Sequence, residues 1–137
     1  KLYLGDNGSY LIALIIGFLL IKFFNNNLAV SPYFIALLLW YPAFENLFSI
    51  IRKKINKISA SAPDNNHLHH LLFNFLKKKI DKKYIANTFT GMIINSYNLL
   101  IFALGSKYYF YTKTLILLLL INILVYLVVY FTLRKNI

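Results

Sequence analysis

Apolar and polar positions fall in long blocks along this chain, on the scale of whole helices rather than the two-residue period of strands. Residues Lys1 to Ser9 open it with a predicted turn, because Asp6-Asn7-Gly8 has strong turn chemistry and Ser9 can cap a following helix. The run from Tyr10 to Phe24 is apolar except for Lys22, whose stem can reach an interface. It approaches the ~20 residues that cross a bilayer. An uncharged loop, Asn25 to Pro32, leads to a second run, Tyr33 to Ile51. This run carries Pro42, expected to kink it, and Glu45, the only acid inside an apolar run.

A polar segment, Arg52 to Lys83, follows. Ser59 to Pro63 breaks the chain, and Asp64 or Asn65 can cap a new helix. Leu68, Leu71, Leu72, Phe75 and Leu76 then form one helical stripe, with His67, His70 and Asn74 opposite. Lys77-Lys78-Lys79 suits its C-terminus. The pattern predicts a short amphipathic helix lying along a membrane surface. A third run, Tyr84 to Leu104, bears a stripe of Thr88, Gly91, Asn95 and Asn98, as expected of a face packed on other helices. After an aromatic girdle, Tyr108 to Tyr111, a fourth run from Thr114 to Leu133 ends at Arg134-Lys135. The expectation is an all-α, polytopic integral membrane protein. It has about four transmembrane helices (10–24, 33–51, 84–104 and 114–133) and a cytosolic loop (52–83) holding the amphipathic helix. The chain reads as a single membrane domain. Starting at Lys1 without an initiator Met or signal peptide, it is expected to be the C-terminal part of a longer protein.

Composition sharpens this. With 59% hydrophobic residues and a mean hydropathy of +0.61, the chain cannot mask its apolar surface as a soluble domain. Cysteine is absent, which excludes disulfides, a thiolate nucleophile and Cys-ligated metal. The net charge of +11 would suggest nucleic acid in a soluble protein. Here nine of the fifteen Lys and Arg residues lie between Arg52 and Lys83, so the charge is assigned to anionic membrane lipid and no nucleic-acid partner is expected. By the positive-inside rule that segment and the C-terminal tail face the cytosol. Two spans separate residues 1–9 from the histidine loop, so both face one compartment. Glu45 has two readings: a functional group at membrane depth, or an interfacial partner of Arg52 or Lys53.

Two clusters on that side could carry chemistry. Gly5-Asp6-Asn7-Gly8-Ser9 opens a helix, where free N–H groups favour phosphate, and Asp6 could hold Mg²⁺. Pro63-Asp64-Asn65-Asn66-His67-Leu68-His69-His70 offers three imidazoles able to donate hydrogen bonds to a diphosphate. Taken singly, each also reads as an ordinary turn and a solvated histidine group. HLHH is not a zinc signature, and no acid or Cys completes a ligand set.

Together, the order GDxGS, a span, PxxE, a basic loop and PDxxHLHH resembles the C-terminal half of the polyprenyl-phosphate N-acetylhexosamine-1-phosphate transferases, over about residues 2–76. The resemblance implies a bacterial plasma-membrane enzyme. It would move a sugar 1-phosphate from a UDP-N-acetylhexosamine to polyprenyl (undecaprenyl) phosphate with Mg²⁺, or Mn²⁺ in its place, releasing UMP for cell-wall or surface polysaccharide synthesis. It implies a metal on Asp6, and catalytic roles for Asp6, His67, His69 and His70 around the diphosphate. Gly5, Asn7, Gly8, Ser9, Asp64, Asn65 and Arg52 become candidate substrate contacts. Three departures stand out. Glu45 replaces the usual Asp, Asn65 stands where Arg is common, and the paired aspartates of earlier cytosolic loops are absent. The missing N-terminal part of the same protein is therefore expected to complete the site, and this stretch alone to be inactive. The competing expectation is a non-catalytic membrane protein, either a transporter subunit or an anchor on anionic lipid.

Overall fold

The computed structural model describes residues 5–59, 62 and 65–136, with Gly5 and Asp6 by backbone alone. Every regular element among them is helical: α1 (Gly5–Asn26), α2 (Pro32–Leu38), α3 (Trp40–Ile55), α4 (Leu68–Lys77), α5 (Lys83–Lys107) and α6 (Thr112–Asn136). Three helices are long and apolar enough to cross a membrane: Asn7–Asn26, Lys83–Lys107 and Thr112–Asn136. The pair α2 and α3 joins them if it counts as one broken span, bent by 71°.

The contacts of α6 show that the bent pair does travel the full depth. At its start, Ser31 lies beside the first residue of α6, with Thr112 Oγ1 donating to Ser31 Oγ at 2.8 Å. Near its end, Arg52 Nη1 donates to Tyr130 Oη at 3.0 Å. Thr112 and Tyr130 are eighteen residues apart on one helix, which is about 27 Å of rise, close to the ~30 Å of a hydrocarbon core. The described residues thus form an all-α, multi-pass membrane protein with three crossings, or four with the bent pair counted as one.

The expected kink falls one turn earlier than Pro42 itself, at Leu39, where φ is −102° and ψ is 5°. A proline has no N–H for the carbonyl four residues back, and its ring collides with that carbonyl. For Pro42 that residue is Leu38, the last of α2. The break is the proline's effect, displaced by the helical repeat.

The expected turn over residues 1–9 is also revised where it is described. Helix α1 begins at Gly5, so Gly5 to Ser9 are its first turn and Ser9 lies inside the helix rather than capping it. The first four N–H groups of any helix need no intrahelical partner, so turn-forming residues are tolerated there. The apolar window of α1 is wholly unburied.

Packing centres on one stripe of α6: Leu115, Asn122, Tyr126, Tyr130 and Leu133 are buried. Against it lie Leu37 of α2, Trp40 of α3, Leu68 and Leu71 of α4, and Ile101 of α5. Between apolar helices in lipid there is little hydrophobic driving force, so close approach and polar contacts hold the bundle. Gly105 illustrates the first, since a Cβ there would come within 2.5 Å of Leu37 Cδ2. Asn122 illustrates the second, accepting from Tyr97 Oη across α5 and α6 while its Nδ2 donates to Leu118 O.

On α5 the packed residues are Ala86, Thr90, Ile101 and Gly105. The polar stripe expected to do this leaves Thr88 and Asn95 exposed. Small residues at 86, 90 and 105 set the contact, and of the exposed polar residues Asn95 borders an adjoining cleft. Helix α4 likewise packs its Leu68 and Leu71 stripe on α5 and α6.

The two ends of the bundle differ in charge. Ser31 N donates to Tyr109 O at 2.9 Å, tying the loops before α2 and before α6 at one end. At the other end lie Arg52, α4 and the C-terminal tail, where Lys78 Nζ donates to Asn136 O at 2.9 Å.

Candidate functional site

Helix α4 starts with its histidines in place. His67 is the N-cap residue (φ −73°, ψ 150°), and its carbonyl accepts from the N–H groups of His70 and Leu71. The rings of His69 and His70 lie 4.2 Å apart between centroids, with His67 at 5.6 Å from His69 and 6.2 Å from His70. The three imidazoles named from the sequence thus lie side by side.

Glu45 holds this start from below. Reaching from α3, and only 7% exposed, its Oε1 lies 3.0 Å from His67 Nδ1 and accepts from Leu68 N at 3.1 Å. Among the described residues the first N–H of the helix is thus satisfied by a side chain more than twenty positions earlier, where Asp64 or Asn65 was expected as the cap. Asn65 is exposed ahead of the helix, and Asp64 lies outside the described residues. The expected pairing of Glu45 with Arg52 or Lys53 is replaced by this pairing with His67. The hydroxyls of Tyr41 and Tyr126 feel the charge of the same carboxylate. They stand outside hydrogen-bond geometry, and both, like Glu45 Oε2, are buried without a hydrogen-bond partner among the described residues.

His69 is the exposed member of the group. Partial burial lowers its pKa below the ordinary 6.5, the positive charge developing on His70 and His67 pushes the same way, and Glu45 opposes them. His69 thus stays neutral further into the acid range than a free imidazole.

Beside the histidines lies a cleft of about 700 Å³, with His69 and His70 of α4 on one wall and Lys83, Tyr84, Asn87 and Thr90 of α5 on the other. It adjoins a second space of about 300 Å³ bordered by Tyr41, Asn87, Gly91 and Asn95. A more apolar cavity of about 170 Å³ under Trp40, Tyr97 and Tyr126 has no side-chain cation and suits hydrocarbon rather than a nucleotide. Sequence reasoning missed Lys83 and Asn87. Their signal was the spacing 83, 87, 90, one polar face of α5 opening directly after the basic loop.

Arg52, a candidate substrate contact, is buried against α6. It donates to Tyr130 and Ser49, and its guanidinium lies 5.5 Å from the Tyr130 ring centroid and 5.7 Å from that of Phe48. Asn7 and Ser9 are exposed on the first turn of α1 and Gly8 is half-buried. The Asp6 side chain lies outside the described residues. Among the described residues no group of three His, Cys, Asp or Glu side chains is arranged to hold a metal ion. Imidazoles are also poor ligands for Mg²⁺, which takes oxygens.

The chain is 36% identical over 76 residues to a probable undecaprenyl-phosphate N-acetylglucosaminyl 1-phosphate transferase of Bacillus subtilis, covering 55% of this chain and 21% of that protein. It is 30% identical over 112 residues to an undecaprenyl-phosphate alpha-N-acetylglucosaminyl 1-phosphate transferase of Thermotoga maritima, covering 80% of this chain and 34% of that protein. The chain therefore spans between a fifth and about a third of these curated relatives. No protein-family model matches it, and no solved structure does. In the part of the molecule that it represents, the chain is similar to the undecaprenyl-phosphate N-acetylglucosaminyl 1-phosphate transferases, the resemblance that its GDxGS and PDxxHLHH motifs carry.

Proposed function

We propose that the protein to which this chain belongs transfers N-acetylhexosamine 1-phosphate from a UDP-sugar to a polyprenyl phosphate. An oxygen of the lipid phosphate attacks the phosphorus that bears the sugar. The bridging P–O bond to the uridylyl phosphate breaks, and UMP leaves. The products are UMP and a polyprenyl-diphosphate sugar, fit for cell-wall or surface polysaccharide assembly.

The observation that supports this best is the packed trio of imidazoles at the basic end of the bundle, two of which, His69 and His70, line an open cleft whose far wall carries Lys83 and Asn87. A phosphoryl centre is served by positioned donors and cations more than by covalent chemistry. His67, His69 and His70 would donate to the diphosphate, and Lys83 adds fixed positive charge on the opposite side. Asn65 and Asp64 precede the histidines and would border the same ligand. Asp6 has the right ligand chemistry for Mg²⁺ or Mn²⁺, which would neutralise charge on the diphosphate. The remaining acids would come from parts of the protein outside this stretch.

In this reading the histidine end faces the cytosol of a bacterium, at its plasma membrane. Substrates there would be a soluble nucleotide sugar on one side of the cleft and a phosphate on a lipid at the surface. The test is UMP release from UDP-N-acetylglucosamine by membranes carrying the whole protein. Asp6→Asn and His69→Ala are each expected to abolish it, and full activity in either variant would refute the assignment.

A further inference from the structure

Glu45 is a carboxylate inside an apolar helix, and nothing in the proposed chemistry uses it directly. Its surroundings indicate a different duty. Oε1 accepts from the Leu68 N–H at 3.1 Å and lies 3.0 Å from His67 Nδ1. A carboxylate oxygen already taking one proton can only accept again, so the imidazole must be the donor. His67 therefore carries its proton on Nδ1, and when neutral it presents a bare Nε2 lone pair outward. Neutral imidazole in water favours the opposite tautomer, so the carboxylate decides which nitrogen of His67 is left with a free lone pair.

The same oxygen also fixes the helix. Leu68 is the first residue of α4, and His69 and His70 are the next two. Tying that first N–H to a side chain of α3 pins the turn on which both imidazoles ride, and the joint is shielded because Glu45 is 7% exposed. We infer that Glu45 is a positioning residue: through His67 Nδ1 and Leu68 N it sets the tautomer of His67 and the placement of all three imidazoles against the substrate diphosphate. This rests on the transferase reading above, but its geometric half does not.

The test uses two variants of the whole protein in micelles. Glu45→Met fills a similar volume and accepts no hydrogen bond. Glu45→Gln keeps one acceptor oxygen at the same reach, removes the charge and puts an NH2 group in place of the second oxygen. Histidine nitrogen chemical shifts, with His67 assigned by its loss in His67→Ala, report the tautomer. The expected result is the Nδ1–H form in the unaltered protein and in Glu45→Gln, and loss of that form in Glu45→Met. For transfer, Glu45→Met is expected to lower kcat about 10- to 100-fold, as loss of a carboxylate behind a working imidazole typically does, with a smaller change in KM. Glu45→Gln should restore most of that rate. In a His67→Ala background, Glu45→Met should cost less than it does alone, because the route through His67 Nδ1 is already gone and only the tie to the Leu68 N–H remains to be lost.

An unaltered protein with no transferase activity would sink the functional reading, while the tautomer measurement would still judge the positioning claim. An active protein in which His67 keeps its tautomer in Glu45→Met would overturn that claim. So would a Glu45→Met effect that multiplies in full with that of His67→Ala. A Glu45→Met protein that does not fold leaves the unaltered protein to decide: His67 found there with its proton on Nε2 overturns the claim.

Discussion

Replacing Tyr130 by Phe removes one oxygen from the most buried aromatic position of the bundle and leaves the ring. The residue is fully buried, and its hydroxyl accepts from the guanidinium of Arg52, itself 8% exposed, at 3.0 Å. In water-soluble proteins a hydrogen bond to a charged group contributes about 1.5–3 kcal/mol. Between membrane helices the figure is smaller, averaging about 0.6 and reaching about 1.7 kcal/mol, because the separated helices find other partners in the bilayer. A charge-assisted bond at a dry position belongs at the top of that range, so Tyr130→Phe should cost about 1.5 kcal/mol. That is roughly a tenfold shift in the unfolding equilibrium. The Phe ring still meets Phe48 edge to face and still lies beside the guanidinium, whose carbon is 5.5 Å from the ring centroid. Tyr130→Leu should therefore lose a further ~1–2 kcal/mol from the cation–π and edge-to-face contacts. Reversible unfolding in mixed micelles, followed by tertiary fluorescence or by trapping of the separated state, measures both steps. A Tyr130→Phe protein as stable as the parent would show that the bond across α3 and α6 contributes nothing, and the argument for how Arg52 is held would fail.

Three further outcomes follow from the same structure. Gly105→Val should destabilise the α2–α5 contact by about 1–3 kcal/mol through overpacking, because even its Cβ would come within 2.5 Å of Leu37 Cδ2; Gly91→Ala, which meets open space, serves as the control in the same unfolding assay. His69 has a folded pKa below its ordinary 6.5, so the unfolded chain binds more protons just below that value and stability rises with pH through the window. Its contribution is complete above pH 6.5 and is lost as pH falls towards the depressed folded value. Melting curves over that interval should flatten in His69→Gln, and an unchanged slope would contradict the assignment. The 137-residue chain alone should release no UMP from UDP-N-acetylglucosamine, and measured metal-dependent release would show that this stretch holds a complete site.

Much of the fold was legible because each crossing is a block of apolar residues, and length alone distinguishes a span from a strand. The break at Leu39 was legible as to cause and not as to place, since a proline acts on the carbonyl four residues behind it. The packed face of α5 was misjudged for a physical reason. In lipid the closest contacts select small residues, here Ala86, Thr90 and Gly105, while Thr88 and Asn95 are polar but left exposed. The histidines could be grouped from their spacing along one helix start. Their anchor could not, because the Glu45 bond spans more than twenty residues and forms only once the bent pair brings α3 under α4. Lys83 and Asn87 were hidden likewise, as the cleft exists only when α4 folds back on α5.

The corner at the less charged end has a consequence for how this bundle can deform. Ser31 gives its amide to Tyr109 and takes the hydroxyl of Thr112, and Leu37 fills the hollow over Gly105 a little deeper in. That edge is stitched like the spine of a book. A displacement of α2 there would carry the start of α6 and the end of α5 with it, so this corner is bound to move as one piece.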